Sequence, residues 1–134
     1  MYSENHKMPN DKSYIKLIAD ILVTNGRRSW IQHGDLRVYM RHGFHRLEKA
    51  PCLSTCLDIA NVEAQTSGKG NFTLFLTQVE QQVLNCPTCD FIYIESIINK
   101  RFIDFFKSRG YAFTINSNML APNMFKKFKA IDAI

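Results

Sequence analysis

Between Ser54 and Tyr111 the chain alternates strand-like and helix-like hydrophobic rhythms, and this alternation limits the possible folds more than any other feature. Ser54 to Glu63 reads as a strand in which Leu57, Ile59 and Val62 break strict alternation, which predicts a bulge or burial on both faces. Asn71 opens a helix with Phe72, Phe75, Leu76, Val79 and Val83 on one stripe. Pro87 lies in the next connection, and Phe91 to Ile94 is a compact β-rich run. Asn99 can cap a further helix with Phe102, Ile103 and Phe106 on its face. Lys107 and Arg109 suit its last turn, and Gly110 stops it. Strands alternating with helices predict a mixed α/β (α+β) sheet with helices covering it.

The flanking segments carry weaker signals. Asp11 or Ser13 can cap a helix with Ile15, Ile18, Ala19 and Leu22 at helical spacing, ended by Asn25-Gly26. Ser29 to Asp35 is ambiguous and admits a short helix carrying Trp30. Leu36 to Met40 reads as a strand, with His42-Gly43 as a turn after it. Pro51 breaks the chain before Ser54, and Tyr111 to Ile115 and Asn123 to Phe128 read as two last strands. At 134 residues one domain is expected, with a loose polar segment over 1–12. No apolar run is long enough to cross a bilayer, and Met1 to Lys12 lack the apolar centre of a secretion signal, so a cytoplasmic setting is expected. Reduced thiols follow from that setting. The net charge of +5 is scattered, with short clusters only at Arg27-Arg28 and Lys126-Lys127, whereas a nucleic-acid reader would concentrate it in a stripe. A solvated surface with a local phosphate pocket is the simpler reading.

That pocket is expected at Gln65-Thr66-Ser67-Gly68-Lys69-Gly70, between the strand and the helix. A glycine turn entering a helix aims several backbone N–H groups at one point, where the helix dipole adds about half a positive charge. Two glycines let the main chain approach a pyrophosphate, and Lys69 supplies a mobile countercharge. A P-loop does not fit, because Gly70 follows the lysine and the earlier glycine is absent. The dinucleotide fingerprint fails as well, because Thr73 stands at its third glycine.

The spacing Gln65-x-x-Gly68-x-Gly70 resembles the [RQ]-x-x-G-x-[GA] pyrophosphate motif of the GNAT N-acetyltransferase superfamily, which cradles coenzyme A. Asn99 followed eleven residues later by Gly110-Tyr111 resembles a second feature of that family. The resemblance covers roughly residues 54–128. The helix-then-strand order before it is family-like, but the usual first strand is not evident. The wording Asp58-Ile59-Ala60-Asn61 with Gly68 to Thr73 looks most like small members encoded by bacteriophages.

The resemblance implies a GNAT-like fold and an acyl-CoA-dependent N-acyltransferase that moves acetyl from acetyl-CoA to an amine, on a small molecule or a protein, by direct attack. Strand amides would polarise the thioester carbonyl. By position, Asn61, Val62 and Glu63 would lie beside the pantetheine arm. Gln65, Gly68, Lys69, Gly70, Asn71 and Phe72 would hold the pyrophosphate, and Asn99 would lie near the pantetheine or the departing thiol. Many members carry a tyrosine general acid seven residues after that asparagine; here the position is Phe106. Its loss is worth about a hundredfold to ten-thousandfold in rate. Ser96 and Tyr111 are candidate substitutes as proton donor. Asp58, Glu63 and Glu95 are candidate bases, with Glu63 preferred because it lies closest to the strand's end. The competing function is a degenerate binding module of this fold that acts through a protein partner. A basic nucleic-acid-binding domain is a weaker third.

Other constellations carry less. Cys52, Cys56, Cys86 and Cys89 do not match structural-zinc knuckles, and Cys86-Pro87-Thr88-Cys89 runs into a strand rather than opening a helix as a redox dithiol does. His42 and His45 read as a surface pair on a hairpin. Trp30, Tyr14 and Tyr39 are candidates to line an acceptor pocket, though aromatics more commonly fill cores.

Overall fold

The computed structural model describes residues 13–24, 26–45, 54–64, 71–115 and 118–129. Helix α1 (Ser13–Val23) is followed by strands β1 (Arg28–His33), β2 (Leu36–His45) and β3 (Ser54–Ala64). Helix α2 (Asn71–Asn85), strand β4 (Phe91–Ile94), helix α3 (Lys100–Ser108) and strands β5 (Ala112–Phe113) and β6 (Met124–Lys127) complete the order. The strands form a six-stranded sheet in the order β1-β2-β3-β4-β6-β5. All neighbours are antiparallel except β3 and β4, whose parallel pairing requires the crossover through α2. None of the described helices is long and apolar enough to cross a membrane.

One face of the sheet meets all three helices. Val38, Met40, Leu57, Ile59, Ile92 and Ile94 join Ile18 and Ile21 of α1, Phe75 and Val79 of α2 and Phe106 of α3 in one buried cluster. Tyr14 of α1 stacks on Phe75 of α2 with ring centroids 5.5 Å apart. The helix stripe read over Phe72, Phe75, Leu76, Val79 and Val83 is therefore the buried face of α2, with Phe72 half-covered at its start. The opposite sheet face carries a smaller cluster of Cys56, Phe91 and Phe125 with Tyr93 packed against it.

Asn99 caps α3 as expected: its side-chain oxygen accepts the Arg101 N–H at 2.8 Å. Gly110 ends that helix at φ +94°, a conformation that favours glycine. The junction is bolted to α2 through Glu80, which accepts from Arg109 and, at 2.8 Å, from the Tyr111 hydroxyl.

Three expectations are corrected. Ser29 to Asp35 is no helix: β1 pairs with β2 through the two-residue turn Gly34-Asp35, where Gly34 has φ +64°. Cross-strand pairing decided a segment whose own propensity was ambiguous, and Gly34-Asp35 was the signal available for a hairpin. His42-Gly43 is no turn, because β2 continues through it to His45 opposite Ser54. His42 and His45, expected as a surface pair on a hairpin, are half-buried residues of strand β2, with the ring nitrogens of His42 buried. The strand expected from Tyr111 shrinks to Ala112–Phe113.

Candidate functional site

The irregularity anticipated between Leu57 and Val62 is a β-bulge. Tyr39 stands opposite Asn61 while Met40 stands opposite Ile59, which leaves Ala60 as the extra residue. At the same point β3 and β4 part. Their last paired residues are Ile59 and Ile94, and the final bond between them runs from the Glu95 N–H to the Ile59 carbonyl at 3.0 Å. Beyond it β3 continues alongside β2 as far as Ala64 opposite Leu36. The other chain follows the sheet's far side instead: Ser96 N–H donates to Asn123 Oδ1 at 2.7 Å and Ile97 N–H to the Pro122 carbonyl at 2.8 Å. Two strands that begin paired and end apart leave backbone groups of β3 without a partner strand on that side.

A cavity of about 490 Å³ fills the gap. Ile59 to Glu63 form one wall, Ile94 to Asn99 the other, and Phe102 and Phe106 of α3 close it with apolar surface. Six of the sequence-predicted site residues (Asn61, Val62, Glu63, Ser96, Asn99 and Phe106) meet here although they come from three elements. Ser96 adopts φ +49°, which turns the chain out of β4 toward Asn123. Asn99 lines the cavity with its side-chain oxygen already engaged as the α3 cap. Glu63 is half exposed and pairs with Arg37 at 3.3 Å. Phe106 is only 1% exposed and sits within a ring cluster with Phe102, Phe105 and Tyr111. Phe72, in the first turn of α2, packs on Phe102 and Phe106 at 5.3 and 5.8 Å between centroids, so the N-terminal turn of α2 abuts the cavity's apolar wall.

Gln65, Gly68, Lys69 and Gly70 lie outside the described residues, as does the side chain of Asn71. Tyr111 does not reach the cavity. Its hydroxyl donates to Glu80, and burial with that carboxylate beside it pushes the phenol above its ordinary range. Tyr14 is core, and Trp30 and Tyr39 pair with each other on the sheet face away from the helices, outside the cavity lining. Cys89 is buried, with its thiol pushed up to about 12 by that burial. Among the described residues the cysteines form no metal-binding group.

Asp58 and Glu95, read from the sequence only as separate candidate bases, meet in a polar cluster on that same face. Arg41 Nε donates to Asp58 Oδ2 at 3.1 Å and its Nη2 donates to Glu95 Oε2, while His45 Nε2 stands 3.3 Å from Asp58 Oδ2. Glu95 belongs to both this cluster and the cavity wall. Burial, then the Asp58 carboxylate, raise the Glu95 pKa, and Arg41 only partly offsets them. Burial pushes Asp58 up too, but hydrogen bonds with His45, Glu95 and Arg41 outweigh it and hold Asp58 below its usual value.

No family model and no curated protein matches the sequence. The fold, by contrast, is similar to solved structures. A mutant of the AtaT toxin, bound to the C-terminus of the antitoxin AtaR and acetyl-CoA, aligns with TM-score 0.55 at 13% identity over 69% of this chain and 58% of that one. The KacTA–DNA complex aligns with TM-score 0.55 at 9% identity over the same shares. Arabidopsis thaliana NAA60, in complex with acetyl-CoA, aligns with TM-score 0.51 at 12% identity over 72% of this chain and 66% of that one. The chain spans about 58% of the AtaT and KacTA chains. A sheet whose one parallel pair splays open, backed by helices on one face, is thus GNAT-like in fold.

Proposed function

We propose that the chain is an acyl-CoA-dependent N-acyltransferase that moves acetyl from acetyl-CoA to an amine by direct attack. The observation that carries this reading is the parting of β3 and β4 at Ile59, which opens a cavity lined by strand backbone on one side and apolar rings on another. A slender thioester arm suits such a slot, and the freed amides of β3 suit the oxygen that gains charge as the carbonyl is attacked. Asn61, Val62 and Glu63 would flank the pantetheine. Gln65, Gly68, Lys69, Gly70, Asn71 and Phe72 would hold the pyrophosphate at the start of α2, where Phe72 also packs on the apolar cavity wall. Asn99 and Phe106 would border the thiol, and Ser96 is the cavity's hydroxyl donor for the departing thiolate. Glu63 and Glu95 are the two carboxylates available to relieve the amine of its proton.

One observation favours a second reading, a binding module of this fold that acts through a protein partner: Phe106 offers the cavity no proton donor where such enzymes commonly carry tyrosine. Thermal unfolding with and without acetyl-CoA tests whether the chain binds the cofactor. At a thousandfold excess over its dissociation constant the ligand stabilises the fold by about 4 kcal/mol, and absence of any shift overturns the transferase and any module that works with the cofactor bound. Release of free thiol with a panel of amines then divides enzyme from binder. Gly68→Val should abolish the shift in a chain that still folds; a retained shift means that the pyrophosphate sits elsewhere.

A further inference from the structure

The buried polar cluster has one atom too few. The register aligns Arg41, Asp58 and Tyr93 in a row across three strands on the face away from the helices, and His45 stacks on Tyr93 with centroids 3.7 Å apart. The Asp58 side chain is 3% exposed, and its Oδ1 is buried with no hydrogen-bond donor. Its other oxygen takes the Arg41 and His45 contacts. A single guanidinium thus spans two carboxylates, and with the His45 imidazole neutral one negative charge is left in excess in the cluster that holds the orphan oxygen. One proton supplies both the missing donor and the missing charge. A divalent cation between His45, Asp58 and Glu95, whose ligand atoms lie within 4.8 Å of one another, would overshoot the charge and stand against Arg41.

We propose that Asp58 and Glu95, clamped by Arg41, form a carboxylate pair that takes up a single proton: both are carboxylates when the amine arrives, Glu95 accepts the amine's proton, and Asp58 is the positioning residue that strengthens it as a base. The catalytic half rests on the acyltransferase reading; the pair itself does not. Glu95 is the member that reaches the cavity, and its raised proton affinity brings it nearer the operating pH, where a general base is most effective. Glu63 also lines the cavity, but it is half exposed and already paired with Arg37. The groups facing the pair are Arg41 and His45 of β2, Cys56 beside Asp58 on β3, and Tyr93 of β4. In the reaction an ammonium N–H proton passes to the Glu95 carboxylate, and the freed lone pair forms the C–N bond to the thioester carbonyl. The C–S bond breaks with its electrons on sulfur, and the second N–H proton goes to that thiolate. Glu95 returns its proton to solvent.

The shared proton is read directly by infrared spectroscopy, as the carbonyl stretch of a buried carboxylic acid at mildly acidic pH. The band should be present in the wild-type chain and absent in Glu95→Gln. Its titration should move to lower pH in Asp58→Asn and to higher pH in Arg41→Gln, which covers the case in which Asp58→Asn fails to fold. The acid limb of kcat/KM should move in the same directions, and Glu95→Gln should lose about a hundredfold or more in kcat. No band, a band untouched by Glu95→Gln, or one that appears only after a chelator strips a divalent cation overturns the pair. An acid limb that moves in neither positioning variant overturns the role of Asp58. The band needs no turnover, so a pair found in a chain without transfer activity sinks the transferase reading and the base role of Glu95 together while the pair stands.

Discussion

The two halves of β3 share one strand and differ in almost everything else. From Cys56 to Ile59 the strand has neighbours on both sides, β2 and β4, and its Cys56, Leu57 and Ile59 are fully buried. From Ala60 to Ala64 it keeps only β2, and Asn61 and Glu63 are exposed with Val62 half-buried. The first half is held by packing on both faces. The second keeps backbone groups and side chains free to meet a ligand, and the bulge at Ala60 marks the change of regime. Stability and site are adjacent because the doubly paired half fixes the geometry from which the open half departs.

The largest expected effect tests that division directly. Leu57→Ala should cost about 3 kcal/mol in denaturant unfolding, as a large-to-small change in a filled core does, whereas Val62→Ala should cost about 1 kcal/mol or less. Equal losses would break the comparison. Val62→Ala should instead weaken the stabilisation conferred by acetyl-CoA, which Leu57→Ala should leave proportionate.

Phe106→Tyr sharpens the open half. A hydroxyl that enters the cavity near the thiol should raise kcat by as much as about a hundredfold, near 2.7 kcal/mol, with cofactor affinity unchanged. A loss of stability with no gain in rate would mean that the hydroxyl is buried among the rings and not presented to the cavity. Ser96→Val should destabilise by about 1–2 kcal/mol, because a β-branched residue resists φ +49° at the point where the strands separate.

The pH dependence of stability is a smaller effect. Asp58 is held below its unfolded value, so its contribution is present above the ordinary carboxylate range and is lost as pH falls through its lowered folded pKa. Glu95 is raised, so the folded chain takes up that proton more readily, and stability should rise slightly as pH falls through the raised value. Urea unfolding across acidic pH should therefore pass through a shallow maximum that Glu95→Gln flattens on its upper side. Smallest in energy is the thiol test of the doubly paired half. Burial pushes Cys56 far up, so folded protein should resist alkylation at Cys56 near neutral pH and react after unfolding. Fast alkylation in the folded state would mean that this half opens readily.

Much of this was legible along the chain. The stripe of α2, the β-rich run of β4, the Asn99 cap and the Gly110 stop are local signals, each written within a few residues, and the fold kept all of them. The broken alternation over Leu57, Ile59 and Val62 was the trace of the bulge. The motif loop Gln65 to Gly70 lies outside the described residues, so its role stands as a proposal resting on the sequence and on the α2 N-terminus beside the cavity. Hairpin pairing was less legible: β1 carried a weak preference of its own and took its form from β2, and the length of β2 was set by its match to β3.

By itself, then, the sequence determined the helical stripe of α2, the β-rich run of β4, where α3 begins and ends, and which residues crowd the ends of β3 and β4. It could do so because capping, periodicity and glycine conformations act over a few neighbouring residues. Only the tertiary structure decided that β3 and β4 separate at Ile59, that Tyr111 is spent on Glu80, and that Arg41, Asp58 and Glu95 meet. The last three are 17 and 37 residues apart in turn, the hydrogen bond from Arg41 to Glu95 spanning 54 positions. Their encounter depends on strand order and register, which arise from many non-local contacts at once and leave no short pattern in the chain.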